Sequence, residues 1–293
     1  MKIIVLKFGG TSVGNLEKIV KVAKIIVSYV KKKYKVIVVS SAMSGFTNEL
    51  LSKTKKISKN FPNDEKDVIL STGEQISCAL IAGKLNELGH KSRSWLGWQL
   101  PIITRGNYNS SRIIKIQKTK IINYLKKGGV PIVAGFQGVN SDFRITTLER
   151  GGSDTSAVAL CAALNAERCD IFTDVDGIYT TDPRICARAR KLEKISYEEM
   201  LELASLGAKV LQTRSVELAT RFKVRLRVLS SFTDNLETQN GTYVCSEGEI
   251  MENKVIAGVA FSRDEAKVTI TGIEDRPGIA AIIFSRFHSD AYN

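Results

Sequence analysis

Short apolar runs rich in β-branched residues alternate along the chain with longer segments in which apolar residues recur every three or four positions. The short runs are typical of strands buried on both faces of a parallel sheet, and they lie at 2–7, 35–41, 101–103, 130–138, 169–174 and 225–232. The longer segments predict helices at 16–30, 67–89, 113–126, 153–166, 195–211 and 213–222. This alternation predicts an α/β fold with a mostly parallel central sheet.

A change of pattern near residue 233 predicts a second domain. Short polar β-type runs follow that point, and an apolar strand at 267–272 then precedes a helix at 279–287. The chain has 293 residues, which is long enough for two domains. We expect a catalytic domain at 1–232, a linker and β-rich connection at 233–265, and the start of another domain at 266–293.

The formal net charge of +13 is concentrated at the beginning of the chain, where residues 1–60 hold 13 lysines and two acidic residues. Five of these lysines fall on the polar face of the predicted helix at 16–30 or just after it, namely Lys18, Lys21, Lys24, Lys31 and Lys32. A solvated helix face explains them better than a nucleic-acid surface, because aromatic residues are not interleaved with them. We therefore expect no nucleic-acid partner.

The apolar runs and the cysteines indicate a cytoplasmic location. No apolar run approaches membrane-spanning length, and the opening residues lack a signal-peptide pattern. The five cysteines are scattered and show no CxxC spacing, which indicates neither a disulfide framework nor a zinc site. The sequence thus predicts a cytoplasmic protein with reduced thiols and no membrane partner.

A pair of glycines follows the first predicted strand, in the sequence KFGGTS. Lys7, Phe8, Gly9 and Gly10 lie at the carboxyl end of that strand, where open α/β sheets bind ligands, and the Lys7 ammonium could meet phosphate oxygens. The loop matches neither the Rossmann nor the Walker pattern. A tight strand-to-helix turn without a ligand is the alternative interpretation.

The segment ITTLERGGSDTSA at 145–157 also combines a strand, a glycine turn and a helix start. Unpaired amides near Gly151, Gly152 and Ser153 would point at an anion. Arg150 offers a planar fork for a carboxylate or phosphate, and Asp154 could hold a cation or order the reacting groups. The simpler alternative is that Ser153 or Asp154 only caps the helix.

Further polar residues lie near the ends of the next predicted elements. Ser41 and Thr47 could donate hydrogen bonds to a substrate, although Thr47 is also a helix-capping candidate. Glu74 lies among small residues in an apolar helix. It either forms a capping box with Ser71 or reaches a substrate ammonium group.

The stretch after the strand at 169–174 carries groups suited to a nucleotide. Asp174, Tyr179 and the turn from Asp182 to Arg184 offer carboxylate, aromatic and cationic groups, and Lys209 is a second candidate phosphate ligand. An EF-hand is excluded because no glutamate stands at the twelfth loop position. A plain β-turn is the alternative at Asp182.

Together these motifs are similar to those of the aspartokinases, a group within the amino acid kinase family. The segments that carry the resemblance, in family order, are KFGGTSV, GFQG, RGGSDTSA, FTDVDGIYTTDPR and LASLGAKVLQ. The tail KVTITGIEDRPGIAAIIFSRF resembles the beginning of an ACT domain. The resemblance implies a three-layer αβα kinase domain, followed by an incomplete ACT-like α+β segment. It also implies a homo-oligomer.

The implied reaction is the phosphorylation of L-aspartate by ATP with Mg²⁺, the first step of lysine, threonine and methionine biosynthesis. Lys7 and Asp154 would be catalytic. The implied substrate-binding residues are Ser41, Thr47, Glu74, Arg150, Gly151, Gly152 and Ser153. The implied nucleotide-binding residues are Lys7, Phe8, Gly9, Gly10, Thr173, Asp174, Tyr179, Asp182, Arg184, Lys209 and Val210.

Glu149 departs from the aspartokinase pattern, which usually has glycine at this position. We expect it to pair with Arg150 and to weaken the binding of aspartate. Two other classes remain open: another small-molecule kinase of the same fold, such as an acetylglutamate or uridylate kinase, and a catalytically impaired regulatory form.

Overall fold

The computed structural model describes residues 2–208, 210–233, 239–250, 258–260, 269–273 and 276–290, without the side chains of 283 and 286–290. The chain divides into two compact units, Met1–Phe261 and Ser262–Asn293. The strands are β1 (Ile3–Phe8), β2 (Lys35–Ser40), β3 (Ser92–Trp95), β4 (Ile102–Arg105), β5 (Arg112–Ile116), β6 (Val130–Ala134), β7 (Gln137–Val139), β8 (Ile145–Thr147), β9 (Cys169–Thr173), β10 (Lys194–Ser196), β11 (Leu226–Ser230) and β12 (Thr242–Cys245). The α-helices are α1 (Leu16–Lys31), α2 (Phe46–Ile57), α3 (Asn63–Glu87), α4 (Thr119–Lys126), α5 (Gly152–Leu164), α6 (Tyr197–Ser205), α7 (Thr213–Phe222) and α8 (Ile279–Asp290).

A large sheet in the order β10-β12-β11-β9-β1-β2-β6-β3 forms the centre of the first unit. Six of these strands are parallel to one another, whereas β10 and β12 run the opposite way. Because the strands are buried on both faces, successive side chains enter two different cores. The mostly parallel sheet predicted from the apolar runs is confirmed.

Alternate residues of β1 show how the two cores are separated. Ile4, Leu6 and Phe8 pack against α1 and α3 on one face of the sheet. Ile3 and Val5 pack on the opposite face, in the core that α4 to α7 cover. The result is the three-layer αβα arrangement expected for the catalytic domain. By the same alternation, Lys7 belongs to the face that carries α5.

A smaller sheet in the order β5-β4-β7-β8 shows where two predictions were wrong. The predicted helix at 113–126 is a strand, β5, followed by the shorter helix α4. The run RIIKI is rich in β-branched isoleucine and gains an antiparallel partner in β4, which favours a strand. The predicted strand at 130–138 is two strands, because Phe136 takes a left-handed backbone with φ 64° and redirects the chain between sheets.

Helix α3 begins one turn earlier than predicted and is joined to the small sheet by Asp67. This buried carboxylate accepts hydrogen bonds from Asn109 N at 3.0 Å, Thr147 N at 2.6 Å and Thr147 Oγ1 at 2.7 Å. Burial raises the pKa of Asp67, and these hydrogen bonds oppose the rise. A short link after Ile57 connects α2 to the beginning of α3 at Asn63.

The first unit continues beyond residue 232, because β12 belongs to its large sheet and Val259 N donates to Thr180 O at 2.7 Å. The second unit contains α8, which covers the helix predicted at 279–287. The strand predicted at 267–272 lies partly outside the described residues, and the ACT assignment stays a prediction. Within the described part of the chain, no helix has the length and apolarity required to span a membrane.

We expect Asp67→Asn to lower the free energy of unfolding by about 2–3 kcal/mol, because an amide replaces an ionised acceptor of several buried N–H and O–H groups. Thermal and urea unfolding would measure the change. The matched control is Asp64→Asn on the same helix, whose carboxylate pairs with Arg144 at a partly exposed site. That pair is worth at most about 1 kcal/mol. Equal losses in the two variants would contradict the role of Asp67.

Candidate functional site

The candidate site is the edge of the large sheet at which four neighbouring parallel strands end. The first residue after each of β1, β2 and β6 still donates a backbone hydrogen bond to the neighbouring strand. Gly9 N donates to Phe172 O, Ser41 N to Phe8 O, and Gly135 N to Ser40 O, each at 3.1 Å. The segments that follow β9, β1, β2 and β6 therefore lie side by side. Open α/β sheets bind their ligands at this edge.

A buried ion pair joins β1 to α5 at the centre of this edge. Lys7 Nζ lies 2.6 Å from Asp154 Oδ1, and each side chain is only 10% exposed. Asp154 is in the first turn of α5, on the face of the sheet to which Lys7 points. The structure thus brings together the two residues that the resemblance assigns to catalysis.

The glycine loop after β1 is held close to the loop after β2. Ser44 N donates to Gly10 O at 3.1 Å, and a Cβ atom at Gly10 would lie 2.9 Å from Ala42 O. Ser12 Oγ donates to Phe172 O and so ties the loop to β9. The loop is a tight turn that also forms an ordered array of backbone groups beside Lys7, so the tight turn expected for KFGGTS is present and its binding of a ligand stays a prediction.

The beginning of α5 has no side-chain cap. Its N-cap is Gly151, with a left-handed φ of 81°, so the interpretation of Ser153 or Asp154 as the cap is wrong. Ser153 instead packs against Gly135, where a Cβ atom would lie 2.8 Å from Ser153 Oγ. The positive end of the α5 dipole faces the site next to Asp154 and favours an anion there.

Glu74 is a buried carboxylate with one oxygen that is not hydrogen-bonded to the described part of the protein. It is 4% exposed, and Oε1 accepts a hydrogen bond from Ala42 N at 3.0 Å. Oε2 has no hydrogen-bond partner among the described residues. Burial raises the pKa of Glu74 to about 8. The carboxylate therefore has one oxygen available to accept from a cationic donor beside the loop after β2.

The capping alternatives for Glu74 and Thr47 are both wrong. Ser71 and Glu74 lie inside α3, and Ser71 Oγ donates to Val68 O, so they form no capping box. Thr47 is the second residue of α2, whose N-cap is Gly45. The carbonyl of Ser41, beside Glu74, accepts a hydrogen bond from Ser77 Oγ at 2.7 Å.

Arg150 is exposed and has no ion-pair partner among the described residues. The expected pair between Glu149 and Arg150 is not formed. Glu149 Oε1 instead lies 3.6 Å from Arg214 Nη1 on α7. The sequence does not single out Arg214, because it is 65 positions away from Glu149 and belongs to no motif with a known chemical role.

The residues predicted to bind a nucleotide are only partly brought together. Thr173 ends β9 and Asp174 follows it at the site edge, where Thr173 Oγ1 donates to Asp174 Oδ1 at 3.0 Å. Tyr179 donates to Asp176 Oδ1 at 3.0 Å. Asp182 and Arg184 form an exposed pair at 3.0 Å, and hydrogen bonds from Arg184 lower the pKa of Asp182. Lys209 lies outside the described residues.

A cavity of about 230 Å³ opens directly beside Asp154. Its other walls come from the end of α6 and the connection to α7, including Gly207, Ala208, Val210 and Gln212. Gln212 also packs on Gly151, where a Cβ atom would lie 2.7 Å from Gln212 Oε1. The cavity thus connects the Lys7–Asp154 pair with the predicted nucleotide residue Val210.

Comparisons with known proteins agree with this geometry. A sequence model described as "Amino acid kinase family" matches residues 2–230. The chain is 52% identical over 281 residues to an aspartate kinase of Pseudomonas putida, covering 96% of this chain and 67% of the relative. It is 48% identical over 293 residues to an aspartokinase of Geobacillus stearothermophilus, covering 100% of this chain and 71% of the relative.

Solved structures give the same result. An aspartate kinase from Synechocystis matches with a TM-score of 0.73 at 44% identity, over 83% of this chain and 40% of that chain. Aspartokinase III of E. coli, in complex with aspartate and ADP, matches with a TM-score of 0.73 at 28% identity, over 84% of this chain and 65% of that chain. A UMP kinase from Bacillus anthracis shares the fold, with a TM-score of 0.63 at 18% identity.

Proposed function

The chain belongs to the amino acid kinase family, among the aspartate kinases, and we propose that its site transfers the γ-phosphoryl group of ATP to the β-carboxylate of L-aspartate. The product is 4-phospho-L-aspartate, so the enzyme is a phosphotransferase of amino-acid biosynthesis. The chain spans about two thirds of the length of its aspartate kinase relatives and two fifths of the Synechocystis chain. The residues of the site are therefore the basis on which we infer its substrates.

One observation carries the proposal. Glu74 Oε2 is buried without a hydrogen-bond partner among the described residues, at the same sheet edge as Lys7 and the glycine loop. A buried carboxylate without a cation is costly, and a substrate ammonium group would relieve that cost. Aspartate has such a group, whereas the amine of acetylglutamate is acylated and uridylate has none. Glu74 therefore supports a free amino acid as the phosphoryl acceptor.

The chemistry requires charge neutralisation more than proton transfer. The β-carboxylate of aspartate is ionised at neutral pH, so no general base is needed to activate it. The difficulty is to hold this anion in line with the anionic phosphates of ATP. Lys7, the backbone of the glycine loop and the beginning of α5 supply positive charge and oriented amides for that purpose.

Asp154 and Arg150 complete the acceptor side of the proposed site. Asp154 holds the Lys7 ammonium at 2.6 Å and so fixes its position beside the cavity. Arg150 is exposed at the turn before α5 and is suited to a carboxylate of aspartate. We assign Ser41 and the turn from Gly151 to Ser153 to the same substrate, because Ser41 precedes the residue that donates to Glu74 and the turn precedes Asp154. Thr47 is assigned to it from the resemblance.

We assign the nucleotide to the cavity beside Asp154 and to the neighbouring end of β9. Thr173, Asp174 and Val210 border this region, and Tyr179 follows β9 in the chain. Asp182 and Arg184 would contribute after their mutual pair opens. Lys209, in the motif LASLGAKVLQ, is assigned to the nucleotide from the resemblance alone.

Mg²⁺ fits the donors at this edge, since it is usually bound by one or two carboxylates together with substrate phosphates. Asp154 and Asp174 are the carboxylates that would hold it, and no group of three or more potential ligands clusters in the described part of the chain. The ion would neutralise charge on the transferred phosphoryl group. The resemblance also supports a homo-oligomer and a cytoplasmic location.

The function is tested by trapping the acyl phosphate with hydroxylamine. We expect aspartyl hydroxamate to form with L-aspartate, ATP and Mg²⁺. Acetylglutamate should give little product, and uridylate should not accept phosphate. Equal turnover of acetylglutamate, or phosphate transfer to uridylate, would contradict the assignment. The absence of any transfer would favour an impaired regulatory form.

We expect Lys7→Met and Asp154→Asn to lower kcat by roughly 10²-fold or more, because each removes preorganised charge at the transferring phosphoryl group. Steady-state kinetics at saturating substrates would measure this. Each change also leaves one buried charge unpaired, so unfolding temperatures must show that the variants are folded at the assay temperature. Lys24→Ala, on the solvated face of α1, is the matched control. A normal kcat in a folded variant would remove that residue from the mechanism.

We expect the KM for aspartate to fall as the pH rises from 6 towards 8. The pKa of Glu74 is about 8 in the free protein, so the side chain is mostly protonated at pH 6 and must lose a proton to pair with the ammonium group. Binding is therefore favoured as the pH approaches this pKa and levels off above it. Initial rates at saturating ATP across this range would give the profile.

Glu74→Gln should raise the KM for aspartate about tenfold or more at pH 8, and it should abolish the pH dependence, because the amide cannot pair with a cation. The control is Glu87→Gln at the exposed end of the same helix, where the carboxylate meets Lys84. An unchanged KM and profile in Glu74→Gln would place Glu74 outside the substrate site.

A further inference from the structure

The turn between β8 and α5 contacts the beginning of α7 through Glu149 and Arg214. Their Oε1 and Nη1 atoms are 3.6 Å apart. The Glu149 side chain is 45% exposed, whereas that of Arg214 is 18% exposed. The arginine is thus the more enclosed partner, and the glutamate extends towards it from the surface.

The position of Arg214 is fixed independently of Glu149. Its Nη2 atom donates a hydrogen bond to Ser111 O at 3.1 Å, just before β5. This contact holds the guanidinium group between α7 and the small sheet. The charge that Glu149 meets is therefore already in place, which makes the pair more than a contact between two mobile side chains.

Glu149 creates a problem that the glycine usual at this position in aspartokinases does not. It immediately precedes Arg150, the residue assigned above to a carboxylate of aspartate. Two neighbouring side chains of opposite charge attract each other, and such a pair would compete with the substrate for the guanidinium group. In the structure Glu149 points to Arg214 instead, and Arg150 has no ion-pair partner within the described ranges.

We propose that Arg214 is a positioning residue that draws Glu149 away from Arg150 and so leaves Arg150 free to bind the carboxylate of the acceptor. The proposal rests on the proposed function, since it needs aspartate as the ligand of Arg150. Arg214 itself does not touch the substrate. Its effect should therefore appear in the KM for aspartate and leave kcat nearly unchanged.

The test is a cycle of Arg214 and Glu149 variants. We expect Arg214→Gln to raise the KM for aspartate about three- to tenfold, because the freed Glu149 carboxylate would then pair with Arg150. Glutamine is shorter than arginine, so this variant also loses the hydrogen bond to Ser111 O. Glu149→Gly alone should leave the KM unchanged or lower it. The double variant Arg214→Gln with Glu149→Gly should return the KM to that of Glu149→Gly.

Two further variants separate charge from structure. Arg214→Lys keeps the charge and should stay within about twofold of the unmodified KM. Arg221→Gln removes an exposed arginine from the other end of α7 and should change nothing. If Arg214→Gln is poorly folded, Arg214→Lys carries the test: a KM for aspartate raised well beyond twofold in this variant, and not restored by adding Glu149→Gly, would overturn the proposal.

An unchanged KM in folded Arg214→Gln would overturn the proposal. So would a raised KM that persists in the double variant, because that result would assign Arg214 a structural role through Ser111. A chain that forms no aspartyl hydroxamate contradicts the proposed function, and this proposal falls with it. If the chain forms aspartyl hydroxamate but its KM for aspartate does not change when Arg214 is replaced, only the proposal about Arg214 is contradicted.

Discussion

The ion pair between Lys7 and Asp154 is the contact on which the arrangement of the site depends. It joins the central strand of the large sheet to the first turn of the helix packed on it, in a place where both side chains are almost fully enclosed. Removing two charges from water is costly, and a buried pair often adds little to stability. Its value here is geometric, because it aligns a cation, a glycine loop and a helix N-terminus around one cavity.

The phosphate side and the acceptor side of the proposed site have different electrostatic requirements. The phosphate side needs positive charge, which comes from Lys7, the helix dipole and backbone amides. In the proposed reaction the acceptor side needs one negative group among cations, and Glu74 is buried so deeply that a cationic ligand is needed to favour its ionised form at neutral pH. In the proposed site, this carboxylate would distinguish a free amino acid from carboxylic acids that lack an ammonium group.

Local signals in the sequence predicted most of the large sheet and the positions of its glycine turns, because strands buried on both faces have continuous apolar runs. The remaining elements depend on contacts between residues that are far apart in the chain. β5 is a strand because β4 lies beside it, and the early first turn of α3 contains Asp64, which pairs with Arg144, 80 positions away. The partner of Glu149 could not be predicted, since nothing in the turn itself indicates Arg214. The motifs led to Lys7, Glu74 and Asp154, whereas the cavity wall and the packing of Gln212 on Gly151 required coordinates.

The 25 residues of α3 give the molecule a mechanical property that its individual contacts do not suggest. A helix of that length spans about 37 Å as one stiff rod. Near one end Asp67 holds the small sheet, further along Glu74 reaches the loop after β2, and the remaining turns are embedded in the core of the large sheet. Asp67 and Glu74 are seven residues apart on this one helix, so the small sheet and the loop after β2 share a common rigid support.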